Sequence, residues 1–307
     1  MTPATVRPPD RAEAGAIAAF LNGLSREQHG VDDMTTAEVE AWFDAPELSP
    51  EEDFLVAGAP DGTLLAYADL SDEGHLHRRF WIDLRLRDEE AGRELLGRLE
   101  RRASAVAAPG ALLRCVAAAS DVRASRVFEA AGFAPVRHSF RMEVGLGDRR
   151  PAPRWPQGVA VRTMEPGRGE RVVYDVQNEI FQDAWEYETP SYVEWEHWNL
   201  RPGQFDPTLW FLAEEAGELA GIALCRPYAS EPELGWVEIL GVRRPWRRRG
   251  LGQALLEHAF AELGRRGFER VGLGVDADSP TGAVGLYERA GMRVSRRQVI
   301  FEKEVAV

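Results

Sequence analysis

Val242-Arg-Arg-Pro-Trp-Arg-Arg-Arg-Gly-Leu-Gly-Gln-Ala-Leu-Leu256 is the stretch whose reading decides the fold. It follows a short apolar run, 237–242, that reads as a buried strand. It leads into 251–263, where Leu251, Ala254, Leu255, Ala259, Phe260 and Leu263 recur at helical spacing. Gly250 and Gly252 permit a tight turn between the two elements and leave no side chain in its way. Successive N–H groups in such a turn, together with a helix N-terminus, make an anion site, and diphosphate suits it. Five arginines between 243 and 249 lie beside it. A Rossmann fingerprint fails because the third glycine position holds Leu255, and a P-loop fails because the turn has no lysine. As a nucleic-acid patch the run is poor, with Trp246 its single aromatic. A solvated arginine run before a helix is the plainest alternative.

Outward from this stretch the chain repeats itself once. FLVAGAPDGTLLAY (54–67) and FLAEEAGELAG (211–221) both read as strand, glycine-containing turn and strand. Leu95-Leu96 and Leu255-Leu256 each sit in an amphipathic helical pattern. VFEAAGF (127–133) and LYERAGM (286–292) follow at similar distances: 96 to 128 spans 32 residues and 256 to 287 spans 31. Two copies of one fold are expected, 1–147 and 158–307, joined through GLGDRRPAPRWPQ (145–157), whose three prolines and two glycines suit a linker. The second copy reads as strand (Val159 to Arg162), helices around 167–183 and 190–200, a hairpin, and the 237–242 strand and 251–263 helix. A strand through Val271, Leu273 and Val275, a helix ended by Gly291, and a last strand at 293–305 complete it. Ser279-Pro280 reads as the N-cap and first position of that last helix. The fold class is α/β, a mixed sheet flanked by helices, in two tandem domains.

Composition bounds the function. In 307 residues, 37 Lys+Arg against 50 Asp+Glu give a net charge of −13, which argues against nucleic acid and against anionic membrane as partners. No apolar run is long enough to span a bilayer, and the first residues lack a secretory pattern, so a cytoplasmic location is expected. Cys115 and Cys225 read as small core residues. No His/Cys cluster has metal-ligand spacing, so no metal is expected.

Arg247-x-x-Gly250-x-Gly252, between a strand and a helix, resembles the acyl-CoA-binding motif of the GNAT superfamily of N-acetyltransferases. The segment from Ser279 to Met292, with Tyr287 shortly before a helix-ending glycine, resembles that family's second motif. The tandem layout resembles the mycothiol synthase type. The resemblance implies acetyl-CoA as co-substrate, its diphosphate held by the backbone of Arg248, Arg249, Gly250, Gly252 and Gln253 beside Arg247. It implies that main-chain groups of Leu240 and Val242 pair with the pantetheine arm, and that Tyr287 protonates the departing thiolate. Ser279 stands where relatives often carry Asn.

An attacking amine must be neutral, so a base is expected nearby. Glu238 is a carboxylate in the apolar run Trp236-Val-Glu-Ile-Leu-Gly-Val242 and is the candidate base or ammonium ligand. Period 2 would put Trp236, Glu238 and Leu240 on one face. In several GNAT relatives the glutamate falls at the position of Trp236. Between 178 and 198 stand six aromatics and six acids, among them Asp183, Trp185 and Tyr187. They suit a cationic, partly apolar acceptor, with Trp236 adding a wall; equally, the aromatics could form core and the acids face water. In the first copy, Asp88-Glu89-Glu90-Ala91-Gly92 replaces the arginine-glycine turn and Phe128 replaces Tyr287, so that copy is expected to be degenerate. The function expected is acetyl transfer from acetyl-CoA to a primary amine of a small molecule by direct attack in a ternary complex, by a monomer or homodimer. Acetylation of a protein or peptide amine, or a non-catalytic CoA-binding scaffold, are the alternatives.

Overall fold

The computed structural model describes residues 4–147, 152–201, 204–279 and 282–306. Its strands are β1 Thr5–Arg7, β2 Phe54–Gly58, β3 Leu64–Asp72, β4 Arg79–Leu86, β5 Leu112–Ala118, β6 Ala134–Gly145, β7 Val159–Thr163, β8 Trp210–Glu215, β9 Glu218–Pro227, β10 Leu234–Val242, β11 Arg270–Asp276 and β12 Arg293–Glu304. Its helices are α1 Ala14–His29, α2 Thr36–Phe43, α3 Pro50–Asp53, α4 Glu89–Val106, α5 Val122–Ala130, α6 Glu170–Phe181, α7 Tyr192–Asn199, α8 Leu251–Arg265 and α9 Ala283–Arg289. The α/β class and the second copy's element order follow the sequence reading.

The chain divides into two compact units, Met1–His138 with Arg297–Val307, and Ser139–Arg296. These bounds differ from a cut at the proline-rich seam, because each copy's last strand completes the other copy's sheet. In the first unit the strand order is β1-β2-β3-β4-β5-β12, and in the second β6-β11-β10-β9-β8-β7. Residues 298–304 of β12 run antiparallel to β5, and 139–145 of β6 run antiparallel to β11. Apolar side chains secure both exchanges: Phe301 of β12 lies 5.4 Å from the Phe128 ring, and Met142 of β6 is fully buried with Leu273 and Val271. Each such side chain stabilises its unit by about 1.5–3 kcal/mol.

In the second unit α8 packs one sheet face through Leu255, Leu256, Ala259, Phe260 and Leu263. The other face carries α6 and α7 through Val173, Tyr174, Ile180 and Trp195. Helix α9 begins at Ala283, with Gly282 as N-cap in the left-handed region (φ 71°). Ser279 therefore stands outside the helix, in a turn where its N–H donates to Asp276 O (3.2 Å), and Pro280 lies outside the described residues. Among the described residues, no helix is long and apolar enough to cross a membrane, and no group of three His, Cys, Asp or Glu could hold a metal ion.

The first unit sets a half-buried acid pair on the α1 side of its sheet. Asp69 stands opposite Asp83 and Tyr67 opposite Arg85 in the β3–β4 register. The Tyr67 hydroxyl donates to Asp69 Oδ2 (2.9 Å), and Arg85 Nε donates to Asp83 Oδ1 (2.6 Å). Burial first, then the Asp83 charge, raises the Asp69 carboxyl well above the ordinary carboxylate range. The folded chain then keeps a proton that the unfolded chain releases near pH 4, so this group lowers stability progressively as pH rises from there toward its raised value. Asp69→Asn is expected to raise the melting temperature by several degrees at pH 8.5 and by less at pH 4.5. Thermal scans at the two pH values check this; an equal shift at both would contradict it.

Candidate active site

Between β10 and α8 the chain turns through two left-handed residues, Arg248 (φ 62°) and Gly250 (φ 85°). The first backbone bond closing the helix runs from Ala254 N–H to Gly250 O (3.0 Å). Among the described residues, the six N–H groups of 248–253 have no protein acceptor. Three of them open α8, where the helix dipole adds partial positive charge. A run of free donors at a helix N-terminus, with no carboxylate capping it, is an anion cradle.

The arginines around this turn do something other than the sequence suggests. Arg243 Nε donates to Glu179 Oε2 (2.8 Å), and Arg249 grips Glu215 through both terminal nitrogens (2.8 and 2.6 Å). Arg247 donates through Nε to Val242 O (3.0 Å) and through Nη1 to Asp183 Oδ2 (2.9 Å), and Arg244 also binds Asp183. Trp246 Nε1 donates to Glu215 Oε2 (2.7 Å). Four of the five arginines are thus staples that fix the loop, and the cradle proper is backbone. Among the described residues, only Arg248 of the five has no ion-pair partner. Asp183, expected to bind the acceptor, is held by two guanidiniums; hydrogen bonds from Arg244 and Arg247 bring its carboxyl down to about 2. Glu215 is likewise down to about 2 through its bond from Arg249. The Gln253 side chain donates to Glu257 Oε1 (2.8 Å), which leaves its backbone N–H as its contribution to the cradle.

Beside the cradle two parallel strands part. β10 pairs with β11 only through Leu234, Gly235 and Trp236, opposite Arg270, Val271 and Gly272. Beyond Trp236, β10 continues against β9 as far as Val242, and β11 against β6 as far as Asp276. The β10–β9 register shifts between Val237 and Ile239, so Glu238 is the extra residue of a bulge. The bulge breaks the period-2 reading of this strand. Val237, Leu240 and Val242 join the α8-side core, whereas Ile239 joins the α6-side cluster. A Cβ on Gly241 would collide with Ile180 of α6. Trp236 and Leu240 therefore lie on opposite faces. The β10 edge from 237 to 242 is left without β11 as a partner, and an extended ligand with its own amides can pair there.

Tyr287 is buried in α9 against the α8-side core. Burial alone pushes its phenol up to about 12, and among the described residues its hydroxyl has no partner. Glu238 is exposed and accepts from Arg226 Nε at 2.8 Å. Trp236 stands opposite Arg226 in the β9–β10 register. Its ring covers Gly272, where a Cβ would lie 2.7 Å from it. The Arg141 guanidinium stacks over Trp236 and Tyr228 (5.3 and 4.9 Å). Arg141 is held in turn by Glu231 (2.6 Å) and Glu143 (2.7 Å). Tyr187 packs back on α6, 6.0 Å from the Phe181 ring with its hydroxyl on Asn178, and burial brings its phenol to about 12. Trp185 stands half-buried in the turn that follows α6. Trp195 is core, which settles part of the aromatic stretch in favour of packing. Sequence reasoning missed Glu215 and Arg226; a charge at the end of the apolar GIALC run was the one available signal for the latter.

The family model described as Acetyltransferase (GNAT) family matches residues 171–292. A mycothiol acetyltransferase from Geodermatophilus obscurus is 31% identical over 302 residues, covering 93% of this chain and 94% of that protein. The chain belongs to the GNAT acetyltransferase family. Another GNAT relative, a mycothiol acetyltransferase from Thermobispora bispora, is 36% identical over 177 residues; the match covers 55% of this chain and 58% of that protein, a little over half its length. Among solved GNAT structures, a GCN5-related N-acetyltransferase from Sphaerobacter thermophilus superposes with a TM-score of 0.80 at 32% identity, covering 99% of this chain and 96% of that one.

Proposed function

We propose that the second unit binds acetyl-CoA and passes its acetyl group to a primary amine of a small molecule. The observation that carries this reading is the run of six unpartnered N–H groups, 248–253, beside the parted strands β10 and β11. The donors suit a multiply charged diphosphate, and the free strand edge suits a linear chain of amides. The backbone of 248–253 would hold the diphosphate, with Arg248 alongside as an uncommitted cation. Main-chain groups of Leu240 and Val242 would hold the pantetheine arm, and Ser279 stands in the turn after β11. Acetyl-CoA supplies an activated thioester carbonyl. Tyr287 holds its proton throughout the physiological range and is suited to giving it to sulfur. Glu238 takes the proton of the incoming ammonium, or orients it. The mycothiol acetyltransferases among the relatives support a small-molecule acceptor.

The first unit is a non-catalytic partner in this reading. Asp88 caps α4 by accepting from Ala91 N–H (2.8 Å), so its own carboxylate occupies the place of an anion. β4 pairs with β3 without a register shift, and Phe128 replaces the phenol.

Incubation with acetyl-CoA and a panel of primary amines, followed by thiol release, tests the proposal. Transfer to at least one amine is expected, and thiol release no faster than spontaneous hydrolysis with every amine contradicts it. With a responding amine, Glu238→Gln is expected to lower kcat by about tenfold or more, since a glutamine cannot take a proton. An unchanged kcat would remove Glu238 from proton transfer.

A further inference from the structure

Beside the β10 bulge stands a cation that the proposed reaction does not use. Arg226 lies near the end of β9, directly opposite Trp236 and next to Glu238. Its Nε is bonded to Glu238 Oε2 at 2.8 Å. Its Nη1 is buried and, among the described residues, has no hydrogen-bond partner. The neighbouring guanidinium of Arg141 is satisfied by Glu231 and Glu143, so the two arginines differ in what they still have to offer. A guanidinium with buried donors unspent is costly unless an oxygen anion meets it, and its planar fork matches a carboxylate.

We propose that Arg226 is a specificity-determining residue, and that the acceptor is an amine carrying a carboxylate close to its nitrogen, as in an amino acid. This rests on the acetyltransferase reading above. Arg226 and Glu238 present a positive and a negative group side by side. A zwitterion offers the reverse order, with its ammonium to Glu238 and its carboxylate to Arg226. Tyr228, with its ring 5.1 Å from that of Trp236 and 5.8 Å from the Arg226 guanidinium, walls the same place with aromatic faces.

The test compares L-amino acids, each against the amine in which hydrogen replaces the carboxylate, in wild type, Arg226→Gln and Arg226→Lys. For responding pairs the wild type is expected to favour the acid at least tenfold in kcat/KM, with the difference in KM. Arg226→Gln is expected to erase that ratio and Arg226→Lys to restore part of it. Because each ratio is taken within one variant, a general loss of folding or activity does not move it. No preference in the wild type, or a preference that survives Arg226→Gln, overturns the proposal. If no compound in the panel is acetylated, the acetyltransferase reading itself fails on this panel. Calorimetric titration of the same amino acids then still decides: saturable binding lost in Arg226→Gln supports the assignment, and absent or indifferent binding overturns it.

Discussion

Gly250→Glu is expected to weaken acetyl-CoA binding at least a hundredfold, about 2.8 kcal/mol at 1.4 kcal/mol per decade. Two effects add. Gly250 has φ 85°, a left-handed conformation that costs a residue with a Cβ about 1–2 kcal/mol, so the free turn relaxes out of the cradle geometry and binding must restore it. The new carboxylate would also stand at the N-terminus of α8, where it competes with the diphosphate for the free N–H groups and repels it. The first unit already contains the outcome of such a change: Asp88 accepts from Ala91 N–H at the start of α4. The fold should tolerate the substitution, since nothing lies within 4 Å of a Cβ placed on Gly250. Calorimetry with a thermal scan as control checks this; an affinity within threefold of wild type would show that the backbone turn is not the anchor.

Tyr287→Phe is expected to lower kcat by about 10²–10⁴-fold, the usual worth of a positioned acid, with little change in KM. The hydroxyl has no protein partner among the described residues, so its removal orphans no other group and should leave stability near wild type. Burial sets the sign of the pH effect. A phenol pushed up to about 12 stays protonated at every pH where the enzyme is assayed, so this group produces no alkaline fall in rate below about pH 10. A kcat within threefold of wild type would assign Tyr287 to the core alone.

The cradle was legible from sequence because its physics is local. Helical spacing after Gly250 and Gly252, a preceding apolar run and the absence of an acid in the turn are all contiguous features. What stayed hidden depends on distant partners. Arg249 meets Glu215 across 34 residues and Arg247 meets Asp183 across 64, so an arginine run that looks like a ligand site is mostly a set of staples. The bulge at Glu238 has no signature in a run of apolar residues, yet one inserted residue moves every later side chain of β10 to the other face. The exchange of β6 and β12 was hidden for a similar reason, since alternation marks a strand and not the edge it joins. Ser279-Pro280 fits a helix start by residue type, but Gly282 holds the left-handed cap that the backbone uses.

The central claim is that one unit of this chain, and only one, holds acetyl-CoA. Isothermal titration of the purified chain with acetyl-CoA tests it most directly through the fitted stoichiometry. One site per chain is the predicted result. Two sites would contradict the assignment of the first unit as non-binding, and no saturable binding would contradict the cradle.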